Sequence, residues 1–186
     1  FLDRDGVLVD EVHYLCRPED THLSFAAVDV IRRANWLSVP VVIITNQAGI
    51  GHGKFGWDEF VAVQEKIADD LASGGTFFNA VYACSHHVDG KPPYDTPDHP
   101  YRKPNPGMLE AGRQLLDHAH SNPGSEPKIL YGHEWLDRPD ESISVLVGDR
   151  SSDMGAAESH GVSGVKCDSS LGLASVVDAI LGDGNE

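Results

Sequence analysis

Four short polar clusters stand out in this 186-residue sequence: Asp3-Arg4-Asp5-Gly6, Thr45-Asn46-Gln47, Arg102-Lys103, and Gly148-Asp149 running on to Asp153. Together they offer four carboxylates (Asp3, Asp5, Asp149, Asp153), a hydroxyl (Thr45), an amide (Asn46) and two cations (Arg102, Lys103). Clustered carboxylates repel one another unless a hard dication neutralises them, and Mg²⁺ prefers oxygen ligands while keeping several waters. A carboxylate can also attack phosphorus and form an acyl phosphate. A phosphoryl group in transit is itself anionic and needs a dication, an ammonium group and aligned donors around its oxygens. The set therefore contains a nucleophile, an acid/base, metal ligands and a phosphate clamp. Each cluster alone has a plainer reading: a solvated turn for Asp3 and Asp5, turn or helix caps for Thr45, Asn46, Asp149 and Asp153, and surface charge for Arg102-Lys103. Their joint presence favours the chemistry.

Such residues act together only if the fold converges them. Five stretches read as buried strands: residues 1–6, 40–46, 78–84, 143–149 and 161–168. Helical periodicity appears between them. Ser24 to Leu37 carries Val28, Ile31 and Leu37 on one side; Trp57 to Ala72 carries Phe60, Val61, Ile67, Ala68 and Leu71; Pro106 to Ala119 opens on a proline; and 151–159 and 171–181 complete the set. Strands alternating with helices predict an α/β fold, a doubly wound, Rossmann-like parallel sheet covered on both faces. In such sheets ligands sit at the carboxyl ends of the strands, and all four clusters fall at or beside strand ends, Arg102-Lys103 just before a helix. If the first strand runs through residues 1–6, its period of two also turns Asp3 and Asp5 to the same side.

The phrases DRDGVLV, TNQAGIG, RKPNPGM and GDRSSDMGAA resemble, in order, the four motifs of the haloacid dehalogenase superfamily phosphatases. The TNQ-x-GI and RKP-x-PGM wording is most similar to the histidinol-phosphate and D-glycero-D-manno-heptose-1,7-bisphosphate phosphatase branch. The resemblance implies a Mg²⁺-dependent phosphatase that hydrolyses a small phosphorylated metabolite through an aspartyl-phosphate. A sugar phosphate of the heptose-bisphosphate kind is the expected substrate, with histidinol phosphate the alternative. It implies Asp3 as nucleophile, Asp5 as acid/base, and Mg²⁺ held by Asp3, the Asp5 backbone carbonyl and Asp149. It further implies Thr45 on the phosphoryl group, Asn46 orienting substrate or nucleophile, Lys103 neutralising charge, Arg102 on substrate, and Asp153 behind Lys103 or a metal-bound water. The 39 residues between Asp5 and Thr45 and the 57 between Thr45 and Lys103 leave no room for a separate cap domain. A single domain over 1–186 is expected, with loop insertions at about 85–101 and 122–141. A receiver-like module that stores a phospho-Asp would use a similar Asp, Thr and Lys, but would lack a second carboxylate such as Asp5; an inactive scaffold is the third reading.

The loop before Arg102 also resembles the zinc loop of the heptose branch. Cys84 and His86 match its first half, and His99 and Tyr101 stand where its second pair of cysteines would be. Three ligands for a structural Zn²⁺ are thus in place, where four are wanted; the plainer reading is a loop without metal. His52 stands where that branch carries Arg. Gly51, Gly53 and Gly56 spell G-x-G-x-x-G, but their context is wrong for a dinucleotide site. Six further histidines (His13, His22, His118, His120, His133, His160) show no ligand spacing and read as surface or packing residues.

The totals narrow the partners. With 14 basic and 29 acidic side chains the net charge is −15, which disfavours nucleic acid and anionic membrane. No apolar run approaches the roughly 20 residues of a membrane helix. Three scattered cysteines suit a reducing compartment, and a cytoplasmic monomer is expected. Only two apolar residues precede Asp3, which suggests that more chain lies upstream.

Overall fold

The computed structural model describes residues 1–181. The run Val41-Val42-Ile43-Ile44 is β-branched and apolar throughout, and it is buried on both faces, as a central parallel strand should be. It forms β1 (Val42–Asn46), which pairs in parallel with β2 (Ala80–Cys84). On the other side, β3 (Val145–Gly148) pairs in parallel with β4 (Ser163–Lys166).

Residues 1–3 lie between the two pairs and join them. Leu2 bridges both Ile43 and Val147 in parallel. The amide of Leu2 donates to the Val42 carbonyl at 2.9 Å, and that of Asp3 donates to the Val147 carbonyl on the opposite side at 2.9 Å. The order across the sheet is therefore β2, β1, residues 1–3, β3, β4. The strand ends at Asp3 and does not continue to Gly6. From Arg4 the chain turns back on itself, with the Leu8 and Val9 amides donating to the Arg4 carbonyl. Gly6 sits in this turn at φ +76°, and a Cβ there would lie 3.0 Å from Asp149 Oδ2, so both conformation and space call for glycine.

The helices follow the strands' alternation. Ile43 and Val147 point to one face, into a core with Ile31 of α1 (Ala27–Trp36) and with Val63, Ile67 and Leu71 of α3 (Trp57–Ser73); the short α2 (Ala48–Gly51) lies between β1 and α3. Val42, Ile44 and Leu146 point to the other face, toward Met108 and Leu109 of α4 (Gly107–Ser121) and Ala156 and Ala157 of α5 (Ser151–His160). Each buried apolar side chain of this size contributes roughly 1.5–3 kcal/mol before entropy is counted. The predicted doubly wound architecture is thus the one observed, with α6 (Val177–Leu181) against α1.

Several boundaries move. The first helix starts at Ala27 and buries Val30 and Ala34, while Leu37 lies outside it and is exposed. In α3 the buried stripe is Phe60, Val63, Ile67 and Leu71, and Val61 faces solvent, one residue (about 100°) off that stripe. Pro106 caps α4 and is not in its first turn. The stretch 171–181 divides into a 3₁₀ turn (Gly172–Ser175) and α6. The segment 122–141 packs behind α4: buried Glu110 accepts Arg138 Nη2 at 2.5 Å and the Gly132 amide, and Tyr131 meets Tyr101, hydroxyl to hydroxyl, at 2.6 Å.

Candidate active site

The shared register brings the ends of residues 1–3, β1 and β3 into one row, and Lys103 reaches into it from the turn that precedes α4. Its ammonium is buried and contacts Asp3 Oδ1 at 2.8 Å and Asp153 Oδ1 at 2.6 Å, and donates to the Ile44 carbonyl at 3.1 Å. All three of its protons are thus directed. Asn46 fixes the approach of this lysine. Its amide donates to the Lys103 carbonyl and accepts from the Lys103 amide, both at 3.1 Å. Asn46, expected on substrate or nucleophile, lines the cavity and braces the Lys103 backbone.

Asp3 Oδ1 also accepts the Arg4 amide at 2.7 Å. Burial pushes the Asp3 carboxyl up to about 7, with Lys103 opposing the rise and Asp153 and Asp5 adding to it. Burial alone would lower the Lys103 ammonium, but Asp3 and Asp153 outweigh it and hold the group above its usual value. Asp153, fully buried, uses its other oxygen to accept the Arg150 amide at 2.9 Å and so caps α5. Gly148 makes this close approach possible: a Cβ there would fall 2.1 Å from the Asp153 Cβ.

Oxygens of Asp3, Asp149 and Asp153 lie within 4.8 Å of one another. Asp149 Oδ1 is buried with no hydrogen-bond partner, and burial raises the Asp149 carboxyl. Three carboxylates face one ammonium, all donors are hard oxygens, and Asp149 Oδ1 is left without a proton to accept. This donor set fits a small hard dication. Asp153 spends Oδ2 on the cap of α5 and sets Oδ1 against the Lys103 ammonium, which places it behind that lysine.

Asp5 lies just beyond, at the wall of a cavity of about 340 Å³ also lined by Glu11, Tyr14, Asn46, His87 and Arg102. Thr45 Oγ1 donates toward Asp5 Oδ2 at 3.4 Å. Arg102 lines the cavity and donates to the His86 carbonyl at 2.7 Å. No residue of 122–141 lines the cavity among the described residues. Two buried residues at this site escaped the sequence reading. Arg4 and Gln47, inside motifs already noted, both bond Asp5. His52 and His87, 3.2 Å apart through Nε2 and Nδ1, form part of the cavity wall, with Tyr14 hydroxyl 3.2 Å from His52 Nδ1.

The expected zinc ligands do not assemble. Cys84, His86 and His99 are neighbours, but the two imidazoles stack at 4.0 Å with planes 11° apart. A ring nitrogen presents its lone pair in the ring plane, so stacked rings cannot aim at one ion. His99 Nδ1 accepts the Tyr101 amide at 3.2 Å and sits 3.9 Å from the Cys84 sulfur. Among the described residues the carboxylate trio is the group whose donor atoms converge.

The chain has relatives among known proteins. The family model described as polynucleotide kinase 3 phosphatase matches residues 5–132. A D-glycero-beta-D-manno-heptose-1,7-bisphosphate 7-phosphatase from Mesorhizobium japonicum is 37% identical over 87% of this chain. The chain belongs to the haloacid dehalogenase superfamily of phosphatases. It spans 65% of the length of that Mesorhizobium relative. A D-glycero-alpha-D-manno-heptose-1,7-bisphosphate 7-phosphatase from Photorhabdus laumondii is 32% identical over 87% of this chain and 77% of its own. Among solved structures, a HAD-like protein from Mesorhizobium loti superposes with TM-score 0.73 at 34% identity, over 100% of this chain and 88% of that one. A D,D-heptose 1,7-bisphosphate phosphatase from B. bronchiseptica, complexed with magnesium and phosphate, shares the fold at TM-score 0.67 and 23% identity, over 97% of this chain and 96% of that one. No helix among the described residues is long and apolar enough to cross a membrane.

Proposed function

We propose that this chain is a Mg²⁺-dependent phosphomonoesterase whose substrate is a small sugar phosphate of the heptose 1,7-bisphosphate kind. The observation that carries the reading is Lys103 held between Asp3 and Asp153 beside the unpartnered oxygen of Asp149. Asp3 and Asp149, with the Asp5 backbone carbonyl, would hold Mg²⁺; when bound, the ion would offset the carboxylate charge and polarise a phosphoryl oxygen.

The chain's own groups then account for the chemistry. A free oxygen of Asp3 attacks phosphorus as the bond to the leaving alkoxide breaks, and Asp5 gives that alkoxide its proton. Water then attacks phosphorus, its proton passes to Asp5, and the bond from Asp3 breaks to release phosphate and restore the carboxylate. Lys103 offsets the charge gathered on the phosphoryl oxygens and on Asp3. Uncatalysed phosphate-monoester hydrolysis is so slow that enzymes accelerate it by up to ~10²¹-fold, which fits so many charged groups directed at one atom.

The relatives' names support the heptose reading. A net charge of −15 favours a small metabolite over a polynucleotide. Asp5, fixed at the cavity wall, favours hydrolysis over storage of a phospho-Asp, which separates this reading from a receiver-like module. Histidinol phosphate is the alternative substrate. The test is phosphate release with Mg²⁺ over p-nitrophenyl phosphate, heptose bisphosphates, histidinol phosphate and common sugar phosphates. Turnover with at least one ester, lost by about 10⁴-fold or more in Asp3→Asn, is expected. No release from any of them would overturn the assignment.

A further inference from the structure

Arg4 is 1% exposed, a rare state for a guanidinium. It spends its bonds on one group. Nε donates to Asp5 Oδ1 at 3.0 Å, and Nη2 donates to Oδ1 at 2.8 Å and to Oδ2 at 3.0 Å. Its Nη1 is buried with no hydrogen-bond partner, and the guanidinium lies 5.5 Å over the Phe60 ring. Gln47, 4% exposed, closes the other side of the same carboxylate. Its Nε2 donates to Asp5 Oδ2 at 2.9 Å and to Thr45 Oγ1 at 2.7 Å.

As a stabilising device this arrangement is a poor one. Burying a guanidinium costs several kcal/mol, and replacing a buried ion pair by apolar groups is often neutral or stabilising. A buried polar network that breaks the local rule is expected where function requires it. The network converges on Asp5, with Thr45 drawn in through Gln47, and the Asp5 carboxylate is gripped from two sides and still lines the cavity. Asp5 hangs from a turn, not from a strand, so the sheet does not orient it. We propose that Arg4 and Gln47 are positioning residues that hold the Asp5 carboxylate where it can exchange protons with the leaving oxygen and with the attacking water. This rests on the phosphatase reading above.

The consequence is selective. Loss of the clamp impairs the proton transfers while Asp3, Lys103 and the metal ligands stay in place. An alkyl phosphate needs a proton on its leaving oxygen; p-nitrophenolate leaves without one. Hydrolysis of the aspartyl-phosphate needs Asp5 as base for either ester. Arg4→Met and Gln47→Leu, assayed with Mg²⁺, should therefore release about one equivalent of nitrophenolate per enzyme in a fast first turnover. Steady turnover should then be about 10²-fold below wild type, as should hydrolysis of a sugar phosphate, which shows no burst. A merely structural role would lower the first turnover and the steady rate together. Folding is checked by thermal unfolding, and if Arg4→Met does not fold, Gln47→Leu decides. Folded variants that keep steady turnover within about threefold of wild type, or that lose the burst along with it, overturn the proposal. A wild-type protein that releases no phosphate from any ester overturns the phosphatase reading itself, and the wild-type control distinguishes the two failures.

Discussion

The Asp3/Asp149/Asp153 cluster and the Cys84/His86/His99 cluster both gather at the carboxyl ends of strands of one sheet. Both consist of side chains that bind metals. In the first, every carboxylate leaves the backbone at or just after a buried, hydrogen-bonded strand or at the first turn of a helix packed on that strand, and the donor oxygens converge. In the second, only Cys84 is held by a strand; His86 and His99 come from a long loop, and their rings stack face to face. Ligand type and proximity are thus insufficient. A metal site also needs lone pairs aimed at one point, and rigid elements supply that aim where the loop does not.

The comparison is most strongly tested at Lys103. This ammonium is the internal cation of the carboxylate cluster, and Lys103→Met would leave Asp3 and Asp153 buried beside each other without it. Breaking a buried pair in this way costs about 3–5 kcal/mol. Denaturant unfolding of the metal-free variant should show a loss of this size. A loss below about 1 kcal/mol would mean that the cluster is not a tightly coupled unit.

A second effect comes from pH. In the metal-free protein the folded Asp3 carboxyl sits at about 7, well above the roughly 3.9 of a free Asp, chiefly because burial disfavours its charge. Between those values the folded state binds more protons at Asp3 than the unfolded state, so stability falls as pH rises. The loss begins near pH 4 and is complete just above pH 7, with a size on the order of a few kcal/mol. Metal-free unfolding curves from pH 5 to 8 should show this decline, and added Mg²⁺ should flatten it. A metal-free stability that is level or rises over that range would contradict the buried, charge-crowded picture of Asp3.

Asp153 offers a smaller and sharper test, because it touches Lys103 and the Arg150 amide. Asp153→Asn should raise the Mg²⁺ concentration for half-maximal activity by about 10–100-fold, as loss of a supporting residue usually does. The measurement is activity against Mg²⁺ at saturating substrate. An unchanged midpoint would detach Asp153 from the cluster.

Much of this was legible beforehand, for identifiable reasons. The apolar run 41–44 marks a central strand in any context, and the order of polar clusters on a doubly wound sheet is enough to predict that Asp3, Lys103 and Asp149 meet. What was not legible depends on the path of the backbone after the strands end. Alternation places Asp3 and Asp5 on one face, but the strand stops at Asp3, and Asp5 owes its position to a turn and to Arg4. Asn46 has an amide suited to a substrate and finds the Lys103 backbone first. Gln47 lies within a quoted motif, yet its partner is 42 residues away. The packing of 122–141 depends on Glu110, an acidic residue buried within a helix, and no local pattern marks such a residue in advance.

The Cys/His loop supplies the smallest expected effect. A structural zinc contributes on the order of 10 kcal/mol to the fold that holds it, so its removal by a chelator would be conspicuous. With the donors arranged as they are, prolonged chelation should leave the unfolding midpoint of the Mg²⁺-free protein unchanged. His99→Gln should cost no more than about 1 kcal/mol, the ordinary value of one hydrogen bond such as that from the Tyr101 amide. Metal analysis of protein prepared without added zinc should find far less than one equivalent. One tightly held equivalent, lost together with stability in His99→Gln, would mean that the loop rearranges around an ion and that a flexible segment can acquire the aim that its strand-borne neighbour has from the sheet.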